Sequence, residues 1–235
     1  MAFKKLSAPT LKELFIQELE TMILSGELPI GTKLPPEREL AQTMQISRSV
    51  VNAGIIEMAN KGFLEINPRI GTCVADYHTN GKLDTLISIM KYNGGQLPRA
   101  DVRSILELRR VLVNFALELT IPQLQQEQLL RLKSHCDLLR SADGPKQAAE
   151  IIFEFDHLLS GYSGNTLLPL IFYSFKALIM TLWERYFRLH GIDGMYNRTI
   201  ELISYMEAKN VQAATDVITE SIDATINGNT SIYSE

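Results

Sequence analysis

The chain has 235 residues, of which 46% are hydrophobic and 21% charged, and its formal net charge is −4. At roughly 150 residues per domain this length allows one or two globular domains, and the composition excludes a disordered, collagen-like or low-complexity chain. Cysteine occurs only as Cys73 and Cys136, which excludes a disulfide scaffold and a Cys-rich zinc site and predicts reduced thiols.

Charge and hydropathy patterning bear on location and partners. No stretch reaches the ~18 apolar residues of a membrane-spanning helix. No apolar segment follows Lys4 and Lys5, so no signal peptide is predicted and a cytoplasmic protein is expected. Nucleic-acid-binding proteins usually carry a basic excess. Residues 1–78 instead hold eight basic and nine acidic side chains, so any DNA binding must depend on a few placed residues.

Three helices and a β-hairpin are predicted for the first 78 residues. Apolar side chains recur at three- and four-residue steps over residues 10–25, which is typical of an amphipathic helix. Pro36 suits the start of a second helix, Ser47 the N-cap of a third, and Gly62 its end. The second helix is predicted at 37–44 and the third at 48–61. The two strands of the hairpin are predicted at 63–66 and 72–75. This order, with a short turn before the third helix, is the winged helix-turn-helix pattern.

Only helices are predicted from residue 79 onward, which makes the chain mostly α. The predicted spans are 82–91, 100–119, 125–141, 146–159, 166–189, 195–208 and 211–226. Six or seven antiparallel helices of this kind form a bundle with an interior. We therefore predict two domains, at residues 1–78 and 79–235.

Several spaced strings resemble the N-terminal domain of GntR-family bacterial transcription regulators. They are Leu-Pro-Pro-Glu-Arg-Glu-Leu-Ala at 34–41, Ser-Arg-Ser-Val-Val at 47–51, Gly-Phe-Leu-Glu at 62–65 and Gly-Thr at 71–72. The helical remainder resembles the FadR-like branch, through Leu-Arg-Arg at 108–110, Ser-Gly-Asn at 163–165 and Lys-Asn-Val-Gln-Ala-Ala at 209–214. The resemblance implies a DNA-binding domain and a helical domain for effector binding and dimerisation. It further implies a homodimer on a palindromic double-stranded operator, most commonly as a repressor.

The third helix of this motif presents its N-terminal turn to the major groove. Arg48 and Asn52 are four residues apart and share a helix face, where arginine can pair with guanine and asparagine with adenine. The other predicted DNA-facing residues are Arg38, Ser47, Ser49, Val50, Arg69 and Thr72. Two alternatives stay open: Arg48 and Asn52 form a merely solvated face, or Arg38 forms an ion pair with a neighbouring glutamate.

Two departures from the family pattern indicate an unusual operator. Asn52 stands where the family often has a second arginine. The hairpin tip reads Pro-Arg-Ile-Gly-Thr at 68–72 instead of the common Pro-Gly-Arg-Gly-Thr, which moves the basic residue to Arg69.

Many FadR-like regulators hold a divalent metal with one aspartate and three histidines. In this chain the aspartate and the first histidine fall at Ile152 and Asp156, or after a one-residue shift at Phe153 and His157. The other two histidines fall at Asn197 and Ser221, so at most one ligand remains. We therefore predict no metal and no cofactor. The resemblance instead implies a small, anionic effector. Its predicted binding residues are Arg109, Asp156, His157, Asn197 and Ser221.

Alternatives for these residues also stay open. Arg109 suits a buried salt bridge as well as an anion site, and His157 suits packing as well as ligand binding. Four aromatic side chains could likewise form a plain bundle core rather than line a ligand site: Tyr173, Trp183, Tyr186 and Phe187.

An enzyme is not expected, because no nucleophile–base pair, phosphate-binding glycine loop or metal triad is evident. The competing functions are a metal-dependent sensor of the same family and a DNA-binding dimer without a ligand pocket.

Overall fold

The computed structural model describes residues 8–93 and 97–233. The Cα positions group into two compact units, Met1–Gln96 and Leu97–Glu235. We call them the N-terminal unit and the C-terminal unit.

The N-terminal unit has the predicted three helices and hairpin, followed by two further helices. The elements are α1 (Leu11–Leu24), α2 (Glu37–Thr43), α3 (Arg48–Asn60), β1 (Leu64–Asn67), β2 (Gly71–Val74), α4 (Tyr77–Asn80) and α5 (Leu83–Tyr92). Thr10 and Glu13 close a capping box at the start of α1. The hydroxyl of Ser47 accepts the backbone N–H of Val50 and so caps α3, as the sequence predicts.

Helix α3 is fixed against α1 by a tightly packed apolar core. Phe15 and Leu19 of α1 lie against Val51, Ile55 and Met58 of α3, and all five are at most 2% exposed. At Gly54 an added Cβ would clash with the Phe15 ring, so the two helices approach closely here because glycine lacks a side chain. This packing holds the opposite face of α3 outward.

The hairpin pairs β1 with β2 in antiparallel register, from Leu64 opposite Val74 to Asn67 opposite Gly71. The chain before α2 extends it, because the N–H of Leu34 donates to the carbonyl of Thr72 at 2.8 Å. At the tip, Arg69 takes a left-handed conformation with φ of 69°, which is uncommon for a residue other than glycine.

Helix α5 groups with the N-terminal unit, which ends at Gln96, 18 residues beyond the boundary expected at residue 78. Two buried polar side chains tie α5 to this unit. The hydroxyl of Thr85 donates to the carbonyl of Lys61, and that of Ser88 donates to the carboxylate of Glu20 at 2.7 Å. The sequence did not predict that α5 attaches to this unit, because two hydroxyls on an otherwise apolar helix face do not indicate which residues they contact.

The C-terminal unit has seven helices among its described residues. They are α6 (Arg99–Gln123), α7 (Gln126–Arg140), α8 (Pro145–Tyr162), α9 (Leu168–Ser174), α10 (Lys176–His190), α11 (Asp193–Glu207) and α12 (Val211–Asn227). Helix α8 is central and packs against α6, α7, α9 and α10. Helix α6 also packs against α12, and α11 packs against α7 and α12.

The single helix predicted at 166–189 is wrong, because the chain breaks into α9 and α10 at Phe175. The side chain of Asn165 accepts the N–H groups of Leu167 and Leu168 and so fixes the start of α9. Neither glycine nor proline marks the break at Phe175, so nothing in the sequence pattern indicated it. No helix of the described residues is both long enough and apolar enough to cross a membrane.

Candidate DNA-binding surface and ligand cavity

The first turn of α3 presents a polar surface. Arg48, Ser49 and Asn52 are exposed, whereas Val51 is fully buried and Val50 half-buried. The hydroxyls of Ser47 and Ser49 lie 2.9 Å apart. Within the described residues, no carboxylate lies within salt-bridge distance of Arg48, so its guanidinium is available to a ligand such as a base edge.

Asn52 is positioned by α2, a contact that sequence reasoning missed. Its side-chain nitrogen donates to the carboxylate of Glu37 at 2.9 Å, across 15 residues of chain. The half-buried Glu37 stands in the first turn of α2, directly after the extended Pro36. The short turn between α2 and α3 brings these two helix starts together.

Arg38 is exposed on α2 and forms no salt bridge with Glu37 or Glu39 in the described part of the chain. At the hairpin, Arg69 is exposed at the tip and Thr72 is half-buried in β2. Sequence reasoning also missed Lys33, whose side chain approaches Gly71 closely enough to meet a Cβ added there at 3.0 Å. A second basic side chain therefore stands beside the hairpin tip.

The C-terminal unit contains a buried ion pair. The guanidinium of Arg109 on α6 bonds the carboxylate of Asp156 on α8 at 2.6 Å, with both side chains less than 10% exposed. The guanidinium of Arg109 also stacks over the ring of Trp183 at 4.7 Å. Burial raises the pKa of the Asp156 carboxyl, and Arg109 opposes that rise by its charge and its hydrogen bond.

Two small cavities adjoin this ion pair and share Arg109, Trp183 and Ser221. Each holds about 20 Å³, room for a single water molecule. The first is also lined by Ile105, Leu106, Ile179, Leu182, Tyr186, Ile222, Thr225 and Ile232. The second is also lined by Ile152, Phe155, Asp156, Met195, Arg198, Thr199, Leu202, Val217 and Ile218. We call the pair the bundle cavity.

Arg198 takes the place in the bundle cavity that was expected for Asn197. Its guanidinium donates to the hydroxyl of Ser221 at 2.9 Å, and Ser221 is on the cavity wall as predicted. The structure places Asn197 on the exposed face of α11 instead. Adjacent helical positions are about 100° apart, so an alignment error of one residue exchanges an outward for an inward side chain.

His157 lies outside the bundle cavity. It is half-buried and its ring stacks on Phe153, with centroids 6.0 Å apart, and contacts Tyr173 at 5.8 Å. This arrangement favours the packing role over the ligand-binding one.

The donor set of the bundle cavity does not fit the metal site of the FadR-like branch. No group of three histidine, cysteine, aspartate or glutamate side chains comes together in the residues that the structure describes. Asp156 is bonded to a guanidinium, which would repel a cation. The buried Nε of Arg109 and Nε1 of Trp183 have no hydrogen-bond acceptor in the described structure. These donors suit an anion or another acceptor.

Comparisons with known proteins cover both units. The model "Bacterial regulatory proteins, gntR family" matches residues 11–74, and the FCD domain model matches residues 104–224, about half of the chain. The HTH-type transcriptional regulator Mce2R of Mycobacterium tuberculosis is 28% identical over 180 residues, 75% of this chain and 73% of the relative.

The Fatty acid metabolism regulator protein of Shewanella pealeana is 28% identical over 165 residues, 70% of this chain and 67% of the relative. The fold is shared by a solved structure whose description reads "Lar controls the expression of the Listeria monocytogenes agr system and mediates virulence". Its TM-score is 0.64 at 14% identity, covering 94% of this chain and 96% of that one. The chain therefore belongs to the GntR family of bacterial transcriptional regulators, in the FadR-like branch that pairs a helix-turn-helix domain with an FCD effector-binding domain.

Proposed function

We propose that the protein is a cytoplasmic repressor, which binds a two-fold-symmetric operator as a homodimer and releases it when a small anionic metabolite enters the bundle cavity. The observation that carries the proposal is the exposed polar face of α3, held outward by the buried core behind it. Arg48, Ser49 and Asn52 on this face would contact bases, and Arg38 and Arg69 the phosphate backbone.

The effector part of the proposal is supported by the cations and donors of the bundle cavity. Arg198 has no carboxylate within salt-bridge distance in the described structure, whereas the charge of Arg109 is balanced by Asp156. An anionic group would satisfy Arg198, and an apolar remainder would suit the aliphatic and aromatic walls. Because each cavity has room for only about one water molecule, a metabolite can enter only if side chains move. That movement would couple binding to a change in population between two conformations.

Arg198→Gln should weaken effector binding by about 10- to 100-fold, because a charge-assisted hydrogen bond is removed while the cavity keeps its shape. Hexanoate is a suitable first probe, with hexanol as its neutral analogue, and thermal unfolding is the measurement. Arg188→Gln, on the exposed face of α10, is the matched control and should keep the wild-type thermal shift.

A wild-type protein stabilised equally by hexanoate and hexanol would contradict an anionic effector. No stabilisation by any member of a panel of small carboxylates and phosphate esters would favour a DNA-binding dimer without a ligand pocket. Stabilisation that appears only with added divalent metal would favour the metal-dependent sensor.

The homodimer is supported by an apolar stripe on α6. Leu108, Val111 and Phe115 are 40%, 62% and 41% exposed and share one helix face. Helix α9 packs against α6. Leu170 on α9 and Leu167, the residue directly before α9, are each 64% exposed. Exposed apolar side chains that recur along one helix face are typical of an interface, and a second copy would cover them.

Val111→Asp should convert the dimer to a monomer at about 10 µM, because the interface would then bury an unpaired charge. Light scattering after size-exclusion chromatography measures the mass. Leu130→Asp, at a 56% exposed position on α7, is the matched control and should leave the dimer intact. A wild-type monomer, or a Val111→Asp protein that stays dimeric, would contradict the proposed interface.

A further inference from the structure

The hydrogen bond between α3 and α2 fixes the orientation of a side chain on the DNA-facing surface. The side-chain nitrogen of Asn52 donates to Glu37 at 2.9 Å. A carboxylate only accepts hydrogen bonds, so the amide of Asn52 must turn its nitrogen toward Glu37 and its oxygen away. The usual two-fold ambiguity of an asparagine amide is thereby removed by chemistry.

No other described residue bonds the second N–H or the Oδ1 acceptor of the Asn52 side chain, so both are available to a base. In the major groove adenine presents a donor, its N6 amino group, beside an acceptor, N7, which matches that pair. Guanine presents two acceptors, N7 and O6, and its O6 would face Oδ1 of Asn52 without a hydrogen between them. The fixed amide therefore suits adenine and disfavours guanine.

We infer that Glu37 is a specificity-determining positioning residue, which holds the Asn52 amide in the orientation that reads adenine against guanine. This inference rests on the proposed sequence-specific DNA binding. Glu37 acts through Asn52 and needs no contact with DNA. Glu39 is an exposed carboxylate two residues away on the same short helix, and no described residue hydrogen-bonds its side chain.

Selection of the full-length protein on randomised double-stranded DNA tests this inference. The wild type should enrich sites with adenine at one position of each half-site. A glutamine at position 37 can accept or donate, so Glu37→Gln allows both orientations of the Asn52 amide. We expect about a tenfold loss of adenine-over-guanine preference at that position, with the other positions unchanged. Asn52→Ala should lose the same preference, and Glu39→Gln, which removes the same charge, should retain it.

Four outcomes would overturn the inference. The first two are that Glu37→Gln keeps the wild-type preference, or that Asn52→Ala changes the preference at no position. The third is that Glu37→Gln and Glu39→Gln change the preference equally, which would indicate a general charge effect. The fourth is that Glu37→Gln loses a preference for cytosine, which would indicate that Glu37 itself contacts a base. A wild-type protein that enriches no sequence would instead remove the proposed function and this inference with it. Thermal unfolding of each variant checks folding independently of DNA.

Discussion

Arg109→Met is expected to lower the free energy of unfolding by about 3–5 kcal/mol near neutral pH, the typical cost of breaking a buried ion pair. Methionine has a similar length but cannot pair with Asp156, whose carboxylate then lies buried without its counter-ion. Urea denaturation of the purified protein measures the decrease.

The decrease should depend on pH in a defined direction. Burial already raises the pKa of Asp156, and Arg109 is the group that pulls it down. Without Arg109 the folded-state pKa rises further above the unfolded value of about 3.9. A carboxyl with a raised folded-state pKa binds its proton more tightly in the folded protein, so its contribution to stability falls as pH rises through that pKa. The deficit of Arg109→Met should therefore be larger at about pH 7.5 than at about pH 5.

Two further variants separate the ion pair from other effects. Arg109→Met combined with Asp156→Leu removes both charges and should recover most of the missing stability. Arg110→Met, the next residue on α6, breaks an exposed pair with Asp223 and should cost less than about 1 kcal/mol. An equal deficit in Arg110→Met, or a deficit that does not change with pH, would contradict an ion pair that stabilises the core.

Elements of the fold that depend on local sequence signals were predictable, whereas those that depend on packing between distant residues were not. The helices and hairpin of the N-terminal unit begin and end at local signals such as the cap residues Thr10 and Ser47 and the positive-φ Gly62. The break at Phe175 and the attachment of α5 depend on packing between distant residues, which no local pattern records.

The candidate site residues also differ in whether a local sequence signal indicates them. The exposed position of Arg48 was predictable from its string and its four-residue spacing from Asn52, and the buried position of Arg109 from the family resemblance. That Arg48 contacts DNA and Arg109 an effector stays a prediction. Arg198 was missed because a cavity wall depends on the rotation of α11 against its neighbours, and a shift of one residue exchanges it for Asn197. The hydrogen bond between Glu37 and Asn52 was missed because it joins the starts of two different helices.

Arg48→Ala is expected to have the largest effect on operator binding. A bidentate arginine–guanine pair is worth about 1–3 kcal/mol, so each half-site should bind about 5- to 150-fold more weakly, and a dimer on two half-sites is weakened by the product. Fluorescence anisotropy on a selected duplex and on a scrambled duplex measures both specific and non-specific binding. Binding to the scrambled duplex should weaken much less, because it offers Arg48 no matched base.

Arg38→Ala is the matched control, because Arg38 is also an exposed arginine, but its proposed contact is a phosphate. It should weaken binding to both duplexes alike and reduce the slope of log affinity against log salt by about one for each phosphate that is no longer neutralised. Equal decreases on the two duplexes for Arg48→Ala would reassign Arg48 to the phosphate backbone. With eight basic and nine acidic side chains in residues 1–78, no general positive field compensates for the removal of one arginine. A single arginine therefore carries more of the affinity here than it would in a basic DNA-binding domain.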